Sequence, residues 1–135
     1  MPPMQHVTPT FITECAPELL NPALDAVMVT NCQGVILWVN PRFTTLTGYS
    51  ASDAIGQTPR LLSSGVHSQR FYQAMWQPLQ QHGFWQGEIW NKRKNGEIYP
   101  QRLTINAIYD KQQQVCAYAA FFNDISEQKP AARLF

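Results

Sequence analysis

Cysteine is scarce: the 135-residue chain has three, Cys15, Cys32 and Cys116, odd in number and far apart. That argues against a disulfide framework, offers no zinc-ligand spacing, and leads us to expect a reducing, cytoplasmic setting. Charge is scarce too. Only 14% of residues are charged and the formal net charge is +1, so bulk electrostatics predict neither a nucleic-acid binder nor a trap for acidic substrates. Long apolar runs are missing. The longest, Val115 to Phe122, falls far short of the ~20 residues that span a bilayer. Met1-Pro2-Pro3-Met4-Gln5-His6 has no cationic segment leading into an apolar one, so no signal peptide is expected. The sequence also lacks a Gly-rich phosphate loop, a usefully spaced Cys–His pair, a carboxylate cluster and a metal motif. No enzymatic activity is expected.

What the chain has is apolar and aromatic mass. Apolar residues make up 44%, with four Trp, five Tyr and seven Phe, which excludes a disordered chain. The length suits one domain that buries roughly two-thirds of its unfolded surface. Residues 1–22 read as a Pro-rich tail and a short lead-in helix over Phe11 to Leu20, bounded by Pro17 and Pro22. Residues 23–125 read as the core, and residues 126–135 as the start of a linker.

Within the core, residues 26–30 and 35–39 are strands by composition, joined by the turn Asn31-Cys32-Gln33-Gly34. Asn40 is a good helix cap, Pro41 suits the first helical position, Gly48 suits a C-cap, and Ser50 or Ser52 can start another turn. Ser68 to Gln81 is the best helix, with Phe71, Tyr72, Met75, Trp76 and Leu79 at three-four spacing. Pro78 is expected to kink it or shorten it by a turn or two. Three strands follow, at residues 84–94, 97–109 and 115–122, and Asn95-Gly96 is the strongest hairpin signal in the chain. Residues 123–129 turn back toward helix. The expected class is α+β: a five-stranded antiparallel sheet with short helices on one face.

This order of elements, with these residues, resembles a PAS domain, the bacterial sensory module. Gly34-Val35-Ile36-Leu37-Trp38-Val39-Asn40-Pro41-Arg42-Phe43 resembles the family's second strand and following helix. Leu46-Thr47-Gly48-Tyr49 with Ile55-Gly56 resembles its "TGY…IG" segment. Residues Lys92 to Tyr99 resemble its "RKDGxxY" hairpin, and Asp124-Ile125-Ser126-Glu127-Gln128 resembles the "DIT-E" joint to an output helix. The resemblance implies the sheet order 2-1-5-4-3. A narrower likeness lies in Trp85-x-Gly87-x-x-x-Asn91-x-Arg93-Lys94, a run similar to that of FAD-binding PAS domains of the NifL and Aer type. Leu62-Ser63-Ser64-Gly65 followed by Phe71 to Trp76 also looks like that type. Pro59 departs from it, standing where those domains carry an acidic residue. Thr58-Pro59-Arg60-Leu61-Leu62 has no cysteine, so a light-driven cysteinyl–flavin adduct has no nucleophile here.

The resemblance implies FAD as cofactor, redox or oxygen sensing, and regulation of an output domain such as a histidine kinase or a diguanylate cyclase/phosphodiesterase. No such output domain is present, so the chain resembles the sensor piece of a larger protein. The candidate cofactor contacts are Asn40, Trp85, Gly87 and Asn91. Alternation puts Trp85, Gly87, Ile89 and Asn91 on one strand face. Gly87 would leave room for a flat ring, Asn91 would offer a donor and an acceptor, and Trp85 an aromatic wall. Plain capping competes as the role of Asn40, and core packing as the role of Trp85 and Asn91. A haem gas sensor through His67, which precedes the main helix, is one alternative. A cofactor-free dimerisation and relay module is the other. The cluster Lys92-Arg93-Lys94 reads as a solvated hairpin tip. Trp90, expected outward with Ile108 nearby, suggests a homodimer through the outer sheet face and the lead-in helix. No nucleic-acid or membrane partner is expected.

Overall fold

Local signals start and stop most elements where the sequence places them. The computed structural model describes residues 25–128. Strand β1 spans Ala26–Asn31 and β2 Ile36–Val39. Helix α1 is Pro41–Thr47 and α2 is Ala51–Ala54. A 3-10 turn over Pro59–Leu62 precedes α3, Gln69–His82. Strands β3 (Phe84–Lys92), β4 (Ile98–Tyr109) and β5 (Val115–Asp124) follow, and a 3-10 turn covers Ser126–Gln128. The expected lead-in helix and most of the expected linker lie outside the described residues.

The five strands form one antiparallel sheet in the order β2-β1-β5-β4-β3, as expected. Asn40 caps α1 with Pro41 at its first position, and Gly48 closes it at φ +83°, where a side chain would be strained. Ser50, not Ser52, caps α2, and Asp53 answers it in a capping box. Of the two effects expected of Pro78, shortening does not occur: helix α3 runs on to His82 and ends on Gly83, as the sequence placed it. The buried side chains on either side of the proline, Met75 and Leu79, hold this stretch to the core, and tertiary packing outweighs the lost hydrogen bond. The last strand runs to Asp124 rather than Phe122, because β4 keeps pairing with it as far as Gln101↔Asp124.

The helices pack on one face: α1 against β1, α2 against β2, and α3 against β3 and β4. Ala26, Met28, Leu103, Ala120 and Phe122 on that face meet Phe43, Leu46, Met75 and Leu79 from the helices. The opposite face is apolar at its centre, where Val27, Val29, Ala117 and Ala119 pack with Trp38, Ile108 and Phe121. Two-sided burial explains why β1 reads as an unbroken apolar run instead of an alternating one.

Trp90 and Ile108 are not neighbours. Trp90 pairs with Pro100 and Ile108 with Ala117, so they lie at opposite ends of β4. Both sheet edges are partly covered. On β2, Ile36 donates its N–H to Gln57 (2.8 Å) and accepts from Gly56 (2.9 Å). On β3, Ser63 bridges to Asn91, His67 Nε2 accepts the Trp90 N–H (2.8 Å), and Ser64 Oγ donates to the Trp90 carbonyl (2.6 Å). Such cover blunts an edge that would otherwise pair with another chain.

Candidate functional site

Strand β3 builds the site by alternation. Gln86 and Glu88 are exposed, whereas Ile89 and Asn91 are 4% and 7% exposed and face the helices. Antiparallel register then adds β4. Asn91 lies opposite Tyr99, Ile89 opposite Gln101, Gly87 opposite Leu103, and Trp85 opposite Ile105. The hairpin end of this inner face is therefore polar and the far end apolar. Tyr99 Oη donates to Gln101 Oε1 at 2.7 Å, and both residues are buried. Burial pushes the Tyr99 hydroxyl well above its ordinary pKa, so it stays protonated and remains a donor. The Asn91 carboxamide finds no hydrogen-bond partner among the described residues.

Aromatic side chains make the opposite wall. His67 stacks on Phe71 (4.0 Å, 16°), and Phe71 meets Trp85 edge-on (6.4 Å, 80°). Tyr72 stands edge-on to both Phe71 (5.4 Å) and His67 (6.1 Å). The Tyr72 hydroxyl is buried and has no partner among the described residues.

Gly87 departs from its expected role. A Cβ built there would meet the Trp85 indole at 2.6 Å (Cζ2) and 2.7 Å (Cη2). The room left by the missing side chain is taken by the indole itself, because alternation sets the two on the same face one step apart. Fit to a flavin is therefore of two kinds. The polar chemistry fits, since a buried donor–acceptor amide and an orphaned hydroxyl suit a heteroaromatic edge. The space is closed here: the Trp85 indole lies on Gly87, and a ring could enter only if that indole moved.

Asn40 is used by the fold. Its Oδ1 accepts from Val27 N (2.9 Å) and Phe43 N (3.0 Å), and its Nδ2 donates to the Asp25 carbonyl (3.1 Å). It caps α1 and clasps β1 together, with both ends of the carboxamide engaged. His67 is engaged as well. Its Nε2 takes the Trp90 N–H, and burial holds its pKa below the usual imidazole value. Iron ligation through that atom would first have to break the edge bond.

Arg93 is not a solvated tip. It donates to the Leu46 carbonyl (2.7 Å), Glu97 Oε1 (2.7 Å) and Asp124 Oδ2 (2.5 Å), with its guanidinium 3.9 Å from the Tyr99 ring centroid. Asp124 Oδ1 in turn accepts from the Ser126 N–H (2.8 Å) and hydroxyl. Burial pushes the Asp124 carboxyl up, but the Ser126 and Arg93 hydrogen bonds outweigh it and hold the carboxyl below its ordinary range. Lys94 pairs with Asp53 at 3.1 Å on the surface. Gln101 was not singled out from the sequence, and Tyr72 and Arg93 were read there only as a helix-stripe residue and a hairpin-tip cation. Carrying the alternation of Leu103 and Ile105 back two residues would have found Gln101.

No group of three or more His, Cys, Asp or Glu positioned to hold a metal occurs among the described residues. No helix there is long and apolar enough to cross a membrane. Two open depressions, one along residues 45–48 with 93–95 and one along Arg42, Arg93 and residues 124–128, do not adjoin Trp85, Gly87 or Asn91.

Residues 24–127 match the PAS domain family model. The chain is 36% identical over 101 residues to a nitrogen fixation regulatory protein of Klebsiella oxytoca, covering 75% of this chain and 20% of that protein. It is 35% identical to the nitrogen fixation regulatory protein of Klebsiella pneumoniae over the same shares. The chain thus spans about a fifth of the length of the curated relatives it matches. Among solved structures, the PAS domain of a Colwellia psychrerythraea protein superposes with TM-score 0.77 at 28% identity, covering 86% of this chain and 98% of that one. A light-oxygen-voltage domain superposes with TM-score 0.76 at 21% identity, covering 96% and 94%, a likeness of fold alone. The motif order, the 2-1-5-4-3 sheet and the family match agree, and the chain belongs to the PAS domain family.

Proposed function

We propose that this PAS domain binds FAD between α3 and β3 and reports redox state or oxygen to an output domain. The observation that carries the reading is Asn91 on the inner face of β3, its side chain without a hydrogen-bond partner among the described residues. The Trp85-x-Gly87-x-x-x-Asn91 run and the nitrogen fixation regulatory relatives support it.

When bound, a flavin supplies a ring edge whose hydrogen-bonding pattern changes between acceptor and donor on reduction. The chain's own residues read that change. Asn91 presents N–H donors and a carbonyl acceptor, and a half-turn of its amide exchanges them. Failure to match costs of order 1 kcal/mol or more in a buried site. Two residues on, Arg93 holds Asp124, and Asp124 holds Ser126 at the exit of the sheet. A shift of β3 at Asn91 therefore reaches the segment that leads out of the domain, biasing a two-state element there. The output domain belongs to the longer protein, of histidine kinase or diguanylate cyclase/phosphodiesterase kind. The domain acts as a homodimer through the outer sheet face, and catalyses nothing itself.

The rival is a cofactor-free relay module, and the indole lying on Gly87 favours it. The visible spectrum of the purified chain, before and after adding FAD and removing the excess, separates the readings. Retained flavin absorption supports the proposal. A Soret band points to haem, and no colour after FAD addition leaves the relay module.

A further inference from the structure

We infer that Tyr72 is a ligand-binding residue, its hydroxyl donating to a carbonyl oxygen or ring nitrogen of the planar ligand whose edge Asn91 reads. The inference rests on the flavin reading above and adds a contact from the helix side. Tyr72 lies three and seven residues before Met75 and Leu79, so the three share one face of α3. Met75 and Leu79 are buried, and α3 packs against β3 and β4, which sets that face toward the sheet. The Tyr72 ring is ordered against Phe71 and His67, and Phe71 itself touches Trp85. The hydroxyl thus ends in the layer that holds Trp85, Gly87 and Asn91. It is one of two buried side-chain polar atoms without a partner among the described residues. The other, Asn123 Oδ1, belongs to a residue that pairs with Arg102 next to Phe122 and so points to the sheet face away from α3. Buried hydroxyls are nearly always paired, and an orphan in a layer that also holds an unpaired carboxamide marks where a polar ligand goes.

An orphan hydroxyl makes an unusual pair of demands on one substitution. Tyr72→Phe removes a buried group that is unpaired without ligand, so the chain without FAD should melt no lower than the parent. The same change removes a ligand hydrogen bond, so FAD should bind about tenfold more weakly. Both are read on the purified chain: thermal melting without FAD, and titration of FAD by fluorescence quenching. Equal affinity in parent and variant overturns the assignment of Tyr72 and leaves the flavin reading standing. A lower melting temperature without FAD also overturns it, because the hydroxyl then has a protein partner. If the parent binds no FAD, both readings fall together.

Discussion

Arg93 Nη2 donates to Asp124 Oδ2 at 2.5 Å, tying the tip of the β3–β4 hairpin to the last residue of β5. The same side chain reaches the end of α1 at Leu46 O and covers Tyr99. A planar guanidinium with five donors can make all these contacts at once; an ammonium cannot. Arg93→Ala should lower unfolding stability by about 2 kcal/mol, and Arg93→Lys should restore only part of it. Urea denaturation of the three proteins checks this; a loss within error of zero would make the cluster a surface ornament.

Acid should release the same joint. The Asp124 pKa is lowered from 3.8, so the unfolded chain binds the proton more readily. Its contribution is complete above that ordinary value and is lost as pH falls through the lower folded value. Stability measured from pH 6 down to 2 should fall more steeply for the parent than for Asp124→Asn, which starts lower and lacks this titration.

His67 titrates with the same sign in a higher window. Its pKa is lowered from 6.5 by burial, and no charged partner among the described residues offsets this. Its Nε2 must be unprotonated to accept the Trp90 N–H. Stability tied to the edge bond is full above 6.5 and falls away as pH drops through the folded value, then levels off. Hydrogen exchange at the Trp90 amide should quicken over that range beyond the intrinsic pH effect, and His67→Phe should remove the dependence.

Gly87 offers a test of packing. An added methyl would sit 2.6 Å from the Trp85 indole, so Gly87→Ala should cost about 1–3 kcal/mol by overpacking. Phenylalanine has no counterpart to the indole Cζ2 and Cη2 atoms. In the Trp85→Phe background, Gly87→Ala should therefore cost much less, giving a clear coupling in a double-mutant cycle. Additive losses would mean that the contact does not govern the site.

Local chemistry was legible. The Asn40 cap, the Gly48 stop and the Asn95-Gly96 hairpin depend on residues a few positions apart, so the sequence carries them directly. The inward face of β3 was legible too, because alternation needs only one strand. Register was not. Nothing in the chain says that Trp90 faces Pro100 and not Ile108, since that depends on where β4 starts against β3. The ties of Arg93 to Leu46 and Asp124 span 47 and 31 residues and exist only after folding. The Trp85 ring lying over Gly87 is a rotamer choice. Alternation puts the two on one face but does not say which way the indole leans.

The account stands or falls on a flat ligand meeting the Asn91 carboxamide. FAD affinity of the parent chain and of Asn91→Ala, titrated side by side under the same conditions, tests it most directly. The account predicts saturable binding by the parent and a loss of about tenfold or more in the variant. Equal affinity in the two proteins, or no binding by the parent, would contradict it.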